Sequence, residues 1–441
     1  MKHSLLLFFC ISLLITINEC AAQNLKASVV KVNITPENPK FLLGYGERES
    51  IGVHDSIYHK IVILDDGISK FYLVSTDVCV ISPGEYDRVA SLLRDSFDID
   101  PLHFWWTATH THSAPEMGPP GLPEIFMDER YDHEVDTAYS NYISKKLIKG
   151  ISVGLSRMAP ARLGVGWGHS QANINRRAIG DDELASLGMN PEGPVDRRIG
   201  LLKIINQSDE NLIALISNYA IHGTVLGGEN LLISGDAPGV VSSYVEEKIG
   251  APLLFINGAA GNIAPIYSVY PNPRAGHLSQ FRTLLGDKII EAQDQIQFFM
   301  DSIKFSFGEI IFETPLKEGL EWPADLSKYI SNFSQGQKKV KVPVRFLAIN
   351  EEVGIWGSPL ELFCEISNEV RDRSPFPYTF FYGYTNGWLG YMLSEGEEIH
   401  KGYESTVSPF GPKVGPAFTE AVSSYFQSEL KSKSKFSLKE K

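Results

Sequence analysis

Short runs rich in β-branched and aromatic residues alternate with longer amphipathic runs along nearly the whole chain, and no other feature narrows the fold as far. Strands are expected at residues 28–33, 60–64, 71–77, 104–109, 162–167, 200–205, 212–219, 252–256, 340–349 and 378–382. Helices are expected at 85–97, 137–157, 239–248, 280–296, 361–371 and 417–430. In the first helix Val89, Leu92 and Leu93 fall on one face. This alternation predicts an α/β fold, with a mixed β-sheet core and flanking helices in one large domain, residues 23–430. The segment 113–136 is rich in Pro, Gly and acids. It follows an expected strand end, where such folds carry functional loops.

Composition closes off several alternatives. The chain of 441 residues, 43% of them hydrophobic, is long enough for a large core. Its formal net charge is −13, from 40 basic and 53 acidic residues, and its body contains no basic block. A nucleic-acid partner is therefore not expected. Residues 431–441 are read as a basic flexible tail. Residues 1–22 read as a signal peptide: Lys2 and His3, an apolar run at 5–17 too short for a membrane span, then Cys20-Ala21-Ala22. Export is expected, to the periplasm or the medium, with a lipoprotein anchor at Cys20 as the alternative. No later segment has the length and apolarity of a transmembrane helix. After processing only Cys79 and Cys364 remain, and these are expected to be buried free thiols. A metal site would have to draw on His, Asp, Glu or Tyr.

Three motifs sit at expected strand ends. Thr109-His110-Thr111-His112-Ser113 follows the apolar run 104–108. Residues at i and i+2 of a strand point to one side, so both imidazoles would face one pocket. Imidazole binds zinc and also carries protons near neutral pH, while a plain hydrogen-bonded histidine pair is the simpler alternative. A second apolar run, 212–219, leads to His222 and a glycine-rich turn. The third motif, Asn257-Gly258-Ala259-Ala260-Gly261-Asn262-Ile263-Ala264-Pro265, places small residues where backbone can approach a ligand or pack tightly. It lacks the Gly-Lys-Ser/Thr of a phosphate loop. Trp105, Trp106, Trp356 and Trp388 are candidates either for core packing or for contact with an acyl chain or sugar ring.

Taken in order, these motifs resemble those of the neutral/alkaline, non-lysosomal ceramidases. The resemblance extends to Gly52-Val53-His54-Asp55, residues 62–67, Asn173-Ile174-Asn175-Arg176 and Ser358-Pro359-Leu360-Glu361. It also includes Asn386-Gly387-Trp388-Leu389-Gly390-Tyr391, with Tyr403-Glu404 twelve residues further on. It spans about residues 27–430. It implies a zinc-dependent hydrolase of an N-acyl amide bond, acting on a small or lipid-like N-acyl substrate. His110, His222, Glu361 and Tyr391 match the zinc ligands, with Glu361 expected to open a helix. His112 matches a second histidine beside the metal, where it would move a proton to the leaving amine. Arg176 and Tyr403 match polar pocket residues that would stabilise an oxyanion.

The chain departs from the family pattern at two points. The glycine-rich turn of the ceramidases carries a serine implicated in catalysis, and Ala264 stands at that position here. A methyl group neither attacks a carbonyl nor donates a hydrogen bond, so attack by zinc-activated water is the expected route. The family's C-terminal immunoglobulin-like sandwich has no matching length of sequence, so correspondence to the catalytic domain alone is expected. Two other readings stay open: the same zinc site acting on a different amide or ester, sugar- or peptide-derived, and a non-catalytic binding protein on the same fold.

Overall fold

The computed structural model describes residues 25–268, 277–300, 302–332 and 337–434. The expected signal peptide and Cys20 lie outside these residues, as does the tail beyond Ser434. The first four residues of the expected basic flexible tail, Lys431–Ser434, are helical. Lys431 is tied there, because its ammonium donates to the Glu351 carbonyl at 2.9 Å. Among the described residues no helix is long and apolar enough to cross a membrane.

The larger sheet runs, in spatial order, Leu253–Asn257, Leu212–Tyr219, Arg198–Asn206, Ala159–His169, Lys26–Asn33, Tyr58–Asp65, Lys70–Thr76, Phe104–Ala108. Its interior pairings are antiparallel, but the outermost pair at each edge is parallel. A second sheet orders Phe305–Pro315, Lys338–Ile349, Val353–Gly357 and Tyr378–Tyr382, and its last pair is again parallel. The large sheet curls until its edges meet. Ser75 Oγ donates to the Phe255 carbonyl at 2.6 Å. Asn218 Nδ2 donates to both Ile256 O and Phe381 O, at 3.1 and 2.9 Å, stitching the second sheet to the closure. The carboxyl ends of three parallel strand pairs are thereby brought to one place.

Side-chain alternation accounts for the layering. In Tyr58–Asp65, Ile61 and Ile63 enter a core with Ile143, Leu147 and Ile151 of the helix Thr137–Leu155. Val62 and Leu64 enter a second core with Leu347, Ile349 and Ile355 of the other sheet. Both faces are buried, which is why the segment reads as an unbroken apolar run. A slip by one residue would exchange the two sets between cores of different shape. Trp105, Trp106 and Trp356 are wholly buried in these cores and so are not available to a substrate. Cys79 and Cys364 are free and buried.

Two expected elements differ. The segment 280–296 forms a π-helical turn, Arg282–Asp287, before the regular helix Lys288–Asp294. The helix expected from residue 361 begins at Cys364, because the backbone before it is still extended, with Phe363 at φ −68° and ψ 140°. Glu361–Leu362 is instead a short strand paired in parallel with Tyr391–Met392. The strands Asn173–Ile179, Ala185–Asn190, Phe305–Pro315 and Val353–Gly357 were not expected. In Phe305–Pro315 the glycine and the charged outward residues Glu309 and Glu313 mask a pattern that pairing over eleven residues makes plain.

His59 is a buried histidine whose bonds define its state. Its Nε2–H donates to Ile143 O at 3.0 Å, and its Nδ1 accepts from the Thr76 hydroxyl at 2.7 Å. Thr76 Oγ1 in turn accepts from Trp106 Nε1 at 2.8 Å. Burial lowers the His59 pKa from an ordinary 6.5 to about 4, so the folded ring is neutral. A folded pKa below the unfolded value gives stability that is present above pH 6.5 and is lost as pH falls through 4. In urea denaturation, the stability difference between wild type and His59→Gln should therefore shrink by roughly 3 kcal/mol from pH 7 to pH 4. A difference independent of pH would show that the ring is not held neutral.

Candidate metal centre

His110 follows the strand Phe104–Ala108, His222 follows Leu212–Tyr219, and Glu361 follows Val353–Gly357. All three lie at the carboxyl ends of strands in the parallel pairs, the position at which open sheets deliver functional groups. His110 Nε2 and His222 Nε2 each lie 3.2 Å from Glu361 Oε2. The three side chains are almost completely buried. Tyr391 stands beside Glu361 because the two residues are register partners across the short parallel ladder.

The histidines reach this point by a route other than the expected one. The strand ends at Ala108, and His110 has a positive φ of 63°, so His110 and His112 are not successive residues of one strand face. Thr111 forms a parallel bridge to Gly223 instead, and the turn brings His112 Nε2 to 3.2 Å from His110 Nε2. Gly223 permits this contact. A Cβ there would sit 2.6 Å from both His110 O and Thr111 Cα. Gly261 does the same for Glu361, since its Cβ would stand 2.7 Å from Glu361 O.

Each imidazole is oriented by its other nitrogen. His110 Nδ1 donates to Cys79 O at 2.8 Å and His222 Nδ1 donates to Ile263 O at 2.9 Å. Both Nε2 atoms are thus aimed at the carboxylate, as in histidines that bind metals. Burial works against charge on His110, but Glu361 and Cys79 outweigh it and raise its pKa to about 10. Burial, reinforced by Arg176, lowers His222 to about 3. Burial and the neighbouring His110 hold His112 well below the usual histidine range. Burial would raise Glu361, yet His110 and the imidazole contacts hold it well below the ordinary carboxylate range.

These states bear on whether a cation fits. His222 Nε2 is a buried atom without a hydrogen-bond partner among the described residues. Its lone pair faces a carboxylate oxygen 3.2 Å away, so two electron-rich atoms confront each other. A divalent cation resolves that confrontation, and two imidazoles with a carboxylate are a donor set that zinc accepts. The ligand atoms of His110, His222 and Glu361 all lie within 4.8 Å of one another, and so do those of Cys79, His110 and His112.

A narrow cavity opens onto the centre, lined by His110, His112, Glu361, Trp388, Tyr391 and Tyr403, among others. Tyr403 begins the short helix Tyr403–Thr406, and its ring lies 5.9 Å from that of Tyr391. Arg176, in the strand Asn173–Ile179, is buried behind this wall and is not part of the lining. Its Nη2 donates to Tyr391 Oη at 3.0 Å and its Nε to Glu404 Oε1 at 2.9 Å. Burial opposes its charge, but Tyr391 and Glu404 more than offset that.

The sequence profile of the neutral/alkaline non-lysosomal ceramidases, N-terminal region, matches residues 30–260. That is more than half of the chain. The chain belongs to the neutral/alkaline non-lysosomal ceramidase family. Neutral ceramidase of Pseudomonas aeruginosa is 26% identical over 253 residues, which cover 55% of this chain and 37% of that protein. Neutral ceramidase B of Dictyostelium discoideum is 27% identical over 253 residues, covering 54% and 33%. The match therefore spans about a third of the length of these curated relatives. The crystal structure of the P. aeruginosa neutral ceramidase superposes with a TM-score of 0.73 at 18% identity. It covers 91% of this chain and 74% of that one, and so supports the mixed α/β architecture.

Several contacts of this centre are not legible in the motifs. Trp388 Nε1 donates to Glu361 Oε1 at 2.8 Å. The Tyr384 ring stacks on His110 at 4.2 Å, and its hydroxyl lies 3.4 Å from Glu361 Oε2. Glu404 joins Arg176 to Arg177, which it meets at 2.6 Å. Tyr384 follows an expected strand closely, so the strand-end rule that found His110 and His222 would have reached it. Trp388 and Glu404 lie inside motifs already quoted. Asn257, at the head of the third motif, ties the two histidine turns together. Its Nδ2 donates to Thr109 O at 3.1 Å and Ile221 O at 2.7 Å, and its Oδ1 accepts from Ile221 N at 3.1 Å. Asn257→Ala leaves three buried backbone groups unpaired. It should cost on the order of 3 kcal/mol in chemical denaturation and weaken the affinity for an added divalent cation about tenfold in a competition titration. Wild-type affinity in the variant would remove Asn257 from the support of the site.

Proposed function

We propose that this chain is a zinc-dependent hydrolase of an N-acyl amide bond, with His110, His222, Glu361 and Tyr391 as the metal-holding residues. The observation that carries the reading is the convergence of two imidazole Nε2 atoms, that of His222 without a hydrogen-bond partner among the described residues, on one Glu361 oxygen, each at 3.2 Å. Bound zinc supplies Lewis acidity, polarising an acyl carbonyl and acidifying water. The protein residues supply the remaining functions. His112 is kept neutral by burial, so its ring can take up the proton released when water adds to the acyl carbon and return it to the departing nitrogen. Burial raises the pKa values of Tyr391 and Tyr403, so both phenols remain donors toward charge developing on the carbonyl oxygen. Arg176 acts through Tyr391, whose hydroxyl it holds, and Glu404 anchors Arg176.

Ala264 supports water as the nucleophile. It is buried in the strand Ile263–Pro265, next to the carbonyl that orients His222 and opposite Ile174. No hydroxyl exists at the place where the family pattern has serine. The same substitution favours a second reading of the substrate, an N-acyl compound other than ceramide. Export, with or without a lipid anchor at Cys20, is part of the proposal and rests on residues 1–22.

Metal analysis of purified protein should find close to one zinc per chain. His110→Ala and His222→Ala should each lower turnover at least a hundredfold with circular dichroism unchanged, and undiminished turnover in either would defeat the site. A screen of N-acyl compounds should show hydrolysis that chelation abolishes and zinc restores. Ala264→Ser should raise the rate on ceramide if ceramide is the substrate. No gain alongside rapid cleavage of another N-acyl compound would assign the activity to that compound.

A further inference from the structure

We propose that the chain carries a second ligand site, separate from the metal centre, for a small amphipathic carboxylate. A cavity of about 310 Å³ lies between the helix Pro83–Phe97, the strands Phe305–Pro315 and Lys338–Ile349, and the turn that contains Thr385 and Asn386. Ligand pockets begin at about this size. Ile311, Pro343, Pro359 and the rings of Tyr86 and Tyr329 give it apolar walls.

The polar groups of the lining are unevenly satisfied. Its two carboxylates are occupied. Asp87 accepts from Lys328 Nζ at 2.6 Å and from the Tyr329 hydroxyl at 3.1 Å, while Glu309 pairs with Arg345 Nη1 at 3.1 Å. The donors are in surplus. Arg345 Nε and Asn386 Nδ2 are buried atoms with no partner among the described residues. Asn386 is only 4% exposed, and its Oδ1 already accepts from Trp106 N at 2.8 Å, leaving the amide nitrogen without a partner at the cavity wall. Lys341 faces Glu313 across the strand pair but forms no ion pair with it among the described residues. Three cationic side chains thus line the cavity with two carboxylates, and what is left unpaired is a guanidinium N–H, an amide N–H and an ammonium. Such a set recognises an anionic acceptor, and guanidinium matches carboxylate geometry. The apolar walls add a preference for a short hydrocarbon body.

The turn that carries Asn386 is also a wall of the metal centre. Tyr384 and Asn386 both have positive φ, 52° and 65°, and Gly387 follows at 138°. Tyr384 reaches Glu361 while Asn386 faces the cavity. The site is nonetheless defined by its own groups and stands independently of the proposed reaction.

Isothermal titration calorimetry on the full chain tests this, with octanoate as the probe and octanol and inorganic phosphate as its separate halves. Octanoate should bind once per chain, with octanol and phosphate each at least tenfold weaker. Arg345→Gln should weaken octanoate at least tenfold. So should Ile311→Trp, which fills the cavity from a half-exposed position and leaves the paired charges intact. His110→Ala should leave octanoate affinity within twofold. Absence of octanoate binding would overturn the proposal. So would binding that His110→Ala removes and the cavity variants spare, because that places octanoate at the metal centre. Phosphate binding as tight as octanoate would overturn the assigned ligand class.

Discussion

Two imidazole nitrogens and a carboxylate oxygen, buried and 3.2 Å apart, are the constraint around which the rest of this molecule is arranged. Left to themselves these groups repel or share a proton, as the opposed shifts of His110 and His222 show. Burying electron-rich atoms in this way is costly unless something positive lies between them. Much of the surrounding structure keeps them there. Cys79 O and Ile263 O aim the two imidazoles, and Trp388 holds the far oxygen of Glu361. Arg176, Glu404 and Arg177 form a charged bracket behind Tyr391.

The fold meets this demand through its parallel strand pairs. Antiparallel sheet dominates the interior, and an all-antiparallel meander would send alternate strand ends to opposite sides. Parallel pairs occur at both edges of the large sheet and at one edge of the second. Closure of the large sheet sets these edges side by side, so six strand ends open onto one volume. The third glycine-rich motif is the keystone of that closure. Asn257 bonds to both histidine turns, Gly261 lets the backbone of Glu361 approach, and Asn262 Oδ1 accepts from Cys364 N at 3.0 Å where the next helix begins.

Some readings from sequence failed for identifiable reasons. Glu361 was placed in a helix because the apolar periodicity that follows it was extended three residues too far. A two-residue strand carries no periodic signal, and its partner lies thirty residues away. Burial is not visible in composition, which is why Trp105, Trp106 and Trp356 read as candidates for substrate contact alongside Trp388, which does line the cavity. The positive φ of His110 is likewise silent in the sequence, although it decides how His112 comes to face the centre.

The amino-acid sequence by itself determined the α/β class, the ordered strands of the larger sheet, the two histidine turns and membership of the ceramidase family. Each of these depends on local periodicity or on residues adjacent in the chain. Only the tertiary structure decided which side chains meet. The proposed ligand set joins residues 110, 222, 361 and 391, and contacts between residues so far apart are set by sheet order, edge closure and parallel register. It alone also separated Tyr403, which lines the cavity, from Arg176, which stands behind it. That distinction depends on a few ångströms of depth, which no spacing along the chain encodes.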